Sequence, residues 1–371
     1  MSTTRRVARI GSLLGVVVLG AAACQIVAGL DGDFAAAPEP DGGVDAGTGG
    51  GAVDSCMAAG YPDPPAIPDD ADAEEIVVAL RTIDLGESAT VPPGYDLDHV
   101  CTCFADAGAS CVSKKPHCDA PGGIDNASAQ FFSLIQFAAG ATNFSSDAFS
   151  AKVGEGVWSF VIRVRGYNGK ADDPKVDVAM FPSTGTDATP LWNGTDAWAI
   201  SATALMNDDL DQPMYRSEGA YVAQGTLVAA MPSVQMRLGG DDNTITLLLT
   251  GGVLTGTLSK SQGSWSMTSG VLSARWRVQD LFQAMSTYRD GNGKPICTDA
   301  ALGYPQAKSA LCGGLDILAD PSGAKTLPCD ALSIGIGFTA QEAKIGVIEP
   351  PPVPTPGCPP ETDPATDTCP D

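Results

Sequence analysis

Histidine is almost missing from this chain: His99 and His117 are the only two in 371 residues, and both fall in one cysteine-rich stretch. The rest of the sequence therefore has no imidazole for a serine triad or a histidine general base. No serine has glycine two places before and two places after it, which excludes the Gly-x-Ser-x-Gly elbow. Two histidines 18 positions apart cannot form a zincin helix. Basic residues are also scarce, 21 against 44 acidic, for a net charge of -23. A nucleic-acid partner needs a basic face, so none is expected. Aromatics are 6% and charged residues 18%, and nothing suggests a collagen, a coiled coil or a multi-span membrane protein.

Cysteine, glycine and proline are plentiful, at 11, 43 and 28. At the N-terminus, Arg5, Arg6 and Arg9 precede an uncharged apolar run from Ile10 to Ala23, ending Ala21-Ala22-Ala23-Cys24. A basic start, a short apolar core and small residues before a cut site predict an export signal over 1–23. With cysteine just after the small residues, the stretch resembles a bacterial lipoprotein signal. Ala21 stands where that pattern usually has leucine. The resemblance implies cleavage before Cys24, acylation of Cys24, and a lipid-anchored protein of the bacterial cell envelope, at the outer membrane. The alternative is an uncleaved anchor from Ile10 to Leu30, long enough to span a bilayer.

Setting Cys24 aside leaves ten cysteines: Cys56, Cys101, Cys103, Cys111, Cys118, Cys297, Cys312, Cys329, Cys358 and Cys369. An even number in an exported chain predicts five disulfides. The competing reading is a zinc site from His99, Cys101, Cys103, Cys111, His117 and Cys118, whose spacings do not make paired C-x-x-C ligands.

Residues 24–55 are Gly-, Ala-, Asp- and Pro-rich without apolar periodicity, and predict a disordered tether behind the anchor. From Asp31 to Asp98 there are sixteen acids against one base, Arg81, which reads as a solvated, self-repelling spacer. Residues 56–123 form a cysteine-rich loop segment. Its run GYDLDHVCTCFADAGASCVSKKPHCDAPGGIDN, with Cys329-Asp330-Ala331-Leu332-Ser333 farther on, resembles a group of uncharacterised lipoproteins from GC-rich Gram-negative bacteria. That resemblance implies an envelope location ahead of a β-rich body and carries no activity. Residues 349–371 are a Pro-rich tail in which Cys358 and Cys369 are expected to close a loop of their own.

The body, 124–348, holds the core. Phe131, Leu134, Ile135 and Ala138 recur at helical spacing, with Asn126 or Ser128 placed to cap. Then the period changes to two. Strands are predicted around 158–165, 175–180, 220–228, 233–238, 244–250, 253–259, 264–275 and 332–338, with Gly251-Gly252 as a hairpin turn. A second helix carries Val278, Leu281, Phe282 and Met285 on one stripe. The expected class is mainly β: an antiparallel sandwich or jelly-roll-like body with one or two packed helices, behind a small disulfide-rich segment.

No motif specifies chemistry, and the chain reads as non-catalytic. Gly335-Ile336-Gly337-Phe338-Thr339-Ala340 matches a dinucleotide pattern, but no βαβ unit follows it. No cofactor is expected. Structural calcium is considered at Asp290-Gly291-Asn292-Gly293, at Asp241-Asp242-Asn243, at Asn207-Asp208-Asp209 with Asp211, and at Asn168 with Asp172 and Asp173; turn chemistry explains each as well. The candidate ligand site is Trp192, Asn193, Asp196 and Trp198, where flat rings beside hydrogen-bonding groups suit a sugar. The competing reading makes both tryptophans core anchors. The expected partners are the membrane, through the lipid, and an envelope glycan or protein. The alternative function is a secreted carbohydrate-active enzyme using an acidic pair about 5–9 Å apart.

Overall fold

The computed structural model describes residues 60–69, 74–103, 108–115, 117–138, 145–240, 243–289, 294–299, 303–350 and 357–370. Cys24, Cys56 and the tether lie outside the described residues. In chain order the first strands are β1 (Glu74–Asp84), β2 (Ser159–Tyr167), β3 (Asp173–Gly185), β4 (Ala197–Ser201), β5 (Leu205–Met206) and β6 (Asp209–Pro213). Then come β7 (Gly219–Ala223), β8 (Thr226–Gly240), β9 (Asn243–Ser261), β10 (Ser264–Arg277), β11 (Ala331–Glu342) and β12 (Lys344–Glu349). The body is mainly β, with helices packed on it, as the period-two alternation predicts.

Ten strands form one sheet. Long twisted sheets curl, and here the curling goes to closure. β7 pairs with β8 on one edge and, through Asp173↔Val222 and Val176↔Ala220, with β3 on the other. The ring β1-β2-β3-β7-β8-β9-β10-β11 is antiparallel throughout and closes where β11 pairs with β1. Closure removes edges that would otherwise seek another chain. Strands β4 and β12 extend the sheet beyond the ring, with β12 parallel to β4.

Two-residue turns with positive φ at both positions join β7 to β8 at Gln224-Gly225 (54°, 79°) and β9 to β10 at Gln262-Gly263 (54°, 86°). Their twist matches that of the strands they connect. The hairpin expected at Gly251-Gly252 is not there. β9 continues through both glycines, paired with β8, with Gly251 at a φ of 54° where the register with β10 shifts by one residue. A β-carbon on Gly252 would lie 2.8 Å from Ala274 Cβ, so the glycine serves close approach instead of a turn.

The segment read as cysteine-rich loop contains β1, a central strand of the ring whose Ile76, Val78 and Leu80 are buried. Among the described residues, four α-helices pack around the sheet: α1 (Ala127–Ala138), α2 (Ser146–Gly154), α3 (Val278–Thr287) and α4 (Tyr304–Gly313). Asn126 Oδ1 accepts from Ala129 N at 3.2 Å, capping α1. Phe131 and Phe132 bring α1 onto Trp276, with ring centroids 6.2 and 6.4 Å apart. The side chains of 134–138 lie outside the described residues. On α3, Leu281, Phe282 and Met285 are buried along the expected stripe.

Disulfides join Cys103 to Cys118, Cys111 to Cys329, Cys297 to Cys358 and Cys312 to Cys369. Cys101 is disulfide-bonded as well. The tail cysteines do not close their own loop. Each reaches back to the segment before or on α4, so residues 357–370 are stapled to the body. Asp367 adds bonds to Tyr304 Oη at 2.6 Å and Lys308 Nζ at 2.7 Å. Among the described residues, no helix is long and apolar enough to cross a membrane.

Candidate functional site

The four residues singled out around Trp192 come together, but mainly to build a turn. Asp196 accepts from Leu191 N at 2.8 Å and from Trp192 N at 2.6 Å. Asn193 Oδ1 accepts from Thr195 N at 3.0 Å and Oγ1 at 2.6 Å. Both polar side chains are therefore occupied by the backbone around them. Trp198, on β4, is 0% exposed and presents no face to solvent. Its ring lies 5.6 Å from that of Trp192, which is half-buried, and Arg81 stands 5.6 Å over the Trp192 ring. The geometry is that of an anchor with a second ring laid over it.

A more open feature lies on the outward face of β3. In an antiparallel ladder, residues directly opposite point to the same side. Arg163 of β2 is opposite Ala179 of β3, and Ala179 is bridged to Arg216 on β3's other edge. Arg165 is opposite Asp177 in the next row. A cleft of about 420 Å³ opens beside this row, lined by Asp177, Arg216, Ser217, Glu218 and Ser233 among others. The β5–β6 hairpin, turned at Asn207-Asp208 with φ of 57° and 55°, places Asp211 over the arginines. Asp211 Oδ1 is 2.6 Å from Arg165 Nη1 and 3.9 Å from Arg163 Nη1, while Glu75 binds Arg165 Nε.

A second cluster belongs to the cysteine-rich run. Carboxylate oxygens of Asp96, Asp98 and Asp125 lie within 4.8 Å of one another. Asp125 is 2% exposed, and burial, reinforced by Asp98, Asp316 and Asp119, pushes its carboxyl up to about 9. Burial likewise raises Asp119 and Asp316 to about 7. Arg275, 4% exposed, donates to Gly251 O at 3.0 Å and to Leu97 O. A small cavity of about 120 Å³ beside it is lined by Tyr61, Tyr95, Asp96, His99 and Arg275. Such a cluster can hold shared protons or a hard divalent cation, for which three oxygens at this spacing are suitable donors.

Set against protein-family models, curated proteins and solved structures, the chain matches none.

The other expected metal positions that fall among the described residues make bonds within the chain. Cys101, Cys103, Cys111 and Cys118 are all in disulfides, so the zinc alternative has lost its thiolates, and His117 Nε2 bonds Gly313 O. Asp173 Oδ2 accepts from Asn168 N at 2.7 Å and Asp172 Oδ1 from Gln224 N at 2.9 Å, closing turns. Asp209 accepts from Asp211 N at 2.9 Å. Asp290 to Gly293 and the Asp241-Asp242 pair lie outside the described residues. Sequence reading passed over Asp96, Asp98 and Asp125 because the last is distant in sequence. The usable signal was Asp-Leu-Asp at 96–98 followed by further acids, Asp119 and Asp125, in the same cysteine-rich run.

Proposed function

We propose that this chain is an exported, lipid-anchored protein of the bacterial cell envelope that binds an extended polar ligand, a glycan, without cleaving it. One observation carries the binding reading. The open, polar cleft beside Asp177 and Arg216 sits on a closed ring of strands, a rigid scaffold with its recognition groups at the surface. Export is supported by the nine described cysteines, every one of them disulfide-bonded. Four pairs form among them and Cys101 is bonded as well, while Cys24 and Cys56 lie outside the described residues. The lipoprotein-like signal assigns Cys24 as the acyl acceptor, and Cys56 is then the partner we propose for Cys101. The resemblance to the envelope lipoprotein group agrees.

The second reading, a carbohydrate-active enzyme, is favoured by one fact: Asp177 and Glu218 line the same cleft. Both are exposed, whereas a glycosidase acid is kept protonated by an apolar pocket. Binding is therefore the better account. Incubation of the purified protein with a panel of envelope polysaccharides, reading bound and released sugar separately, tests it. Retention without release supports the proposal. Released sugar that Asp177→Asn or Glu218→Gln abolishes would make the chain a hydrolase.

A further inference from the structure

The row of arginines beside the cleft contains a group whose partners are unfinished. The Arg163 side chain is 3% exposed. Its Nε is buried with no hydrogen-bond acceptor among the described residues, and the Asp211 carboxylate is 3.9 Å from Nη1, beyond hydrogen-bond length. The guanidinium lies 5.2 Å over the Phe181 ring, which covers one face and leaves the buried Nε unmatched among the described residues. Burying a charge in this way is costly unless something completes it. Arg165 is two residues along on the same face, and Ala179 between Arg163 and Arg216 contributes only a methyl group. Arg163 and Ala179 are themselves covered, so the row is reached past Asp211 and the more exposed Arg165, and its planar donors in fork geometry suit a carboxylate.

The chain already offers a carboxylate there, and only loosely. Asp211 is 70% exposed, rides on a two-stranded hairpin outside the main sheet, and satisfies Arg165 better than Arg163. We propose that Arg163 and Arg165 form a carboxylate-recognition site, that Asp211 is its displaceable internal occupant, and that the glycan bound at the adjacent cleft is acidic, entering through a uronate group. This inference rests on the glycan-binding reading and specifies its ligand. The displaced Asp211 stays tethered to the chain, so the uronate adds one negative charge, set against Arg163, Arg165 and Arg216 of the same row. Glu75 stays on Arg165 Nε, and Asp177 and Glu218 stay at the cleft wall. Repulsion from the rest of this acidic protein is screened beyond about 8 Å at physiological salt.

The test is calorimetric titration of the full chain with an oligogalacturonate, and with a neutral maltooligosaccharide of equal length. Wild type, Asp211→Asn, Arg165→Gln and Arg163→Gln are compared. Oligogalacturonate is expected to bind and the neutral sugar not to. Asp211→Asn removes the competitor and should tighten binding about tenfold, as removing an occluded state does. Arg163→Gln should weaken it by about thirtyfold or more. Arg165 is 39% exposed, so Arg165→Gln tests the site even if Arg163→Gln does not fold. Oligogalacturonate binding of equal strength in wild type, Asp211→Asn and Arg165→Gln overturns the proposal. Binding of the neutral sugar alone overturns it while leaving the glycan-binding reading intact. Binding of neither sugar, by wild type or by Asp211→Asn, overturns both.

Discussion

Replacing Trp198 separates a core anchor from a ligand platform. The side chain is wholly enclosed, packs 5.6 Å from the Trp192 ring, and has a buried Nε1 with no acceptor among the described residues. Truncation to alanine removes a large buried ring that rigid strands β3, β4 and β12 cannot close over, at a cost of about 3–5 kcal/mol. At about 2–4 °C per kcal/mol for a domain of this size, the midpoint should fall by roughly 6–20 °C. Trp198→Phe should lose much less, because it keeps a ring and discards an unsatisfied donor. Trp192→Ala should cost only about 1–2 kcal/mol, in line with its half-burial. Differential scanning calorimetry of the three variants reads all of this. A Trp198→Ala protein that melts like wild type yet has lost glycan binding would refute the anchor argument.

Further outcomes can be measured directly. Because burial raises Asp125 to about 9 and Asp119 and Asp316 to about 7, the folded chain keeps protons that the unfolded chain has released. These three groups favour the fold most at or below about pH 4, where they are protonated in the fold and the unfolded chain only begins to ionise; stability then declines as pH rises, most steeply up to about 7, and on to about 9 where Asp125 alone still differs. Asp125→Asn should flatten that decline in melts between pH 5 and 9; an unchanged slope would count against it. Cys24→Ser should release the protein from membranes or leave its signal uncut. Retention with an intact N-terminus would favour an uncleaved anchor. Removing the Cys111–Cys329 link, which spans 218 residues, should cost about 3–5 kcal/mol in denaturant titrations, and no loss would contradict its structural role.

The strand content was legible in the apolar alternation: Phe160, Ile162 and Val164 announce β2 without any knowledge of its neighbours, although Val161 and Arg163 on its other face are buried too. The α3 stripe was legible for the same reason, at a period of 3.6. Closure of the ring was not, since it depends on Asp173 meeting Val222 across a long excursion, and no local pattern encodes that pairing. β1 was hidden by its setting among cysteines and acids, although Ile76, Val78 and Leu80 alternate within it. Gly251-Gly252 misled because a glycine pair suits either a turn or a close backbone approach, and only the packing of Ala274 decides. The tryptophans of the 192–198 loop were visible as a pair, but whether a ring faces solvent or core is a tertiary fact. Arg163 and Asp211 were silent for a similar reason: their relation exists only once the hairpin folds back over β2 and β3.

The account turns on where one odd cysteine goes. Mass spectrometry of a non-reduced digest of the membrane-extracted protein answers this in a single measurement. The expected result is a Cys56–Cys101 disulfide together with an N-terminal Cys24 carrying diacylglycerol. A Cys24–Cys101 disulfide, or an unmodified chain that still begins at Met1, would contradict the reading of this protein as a lipid-anchored envelope component.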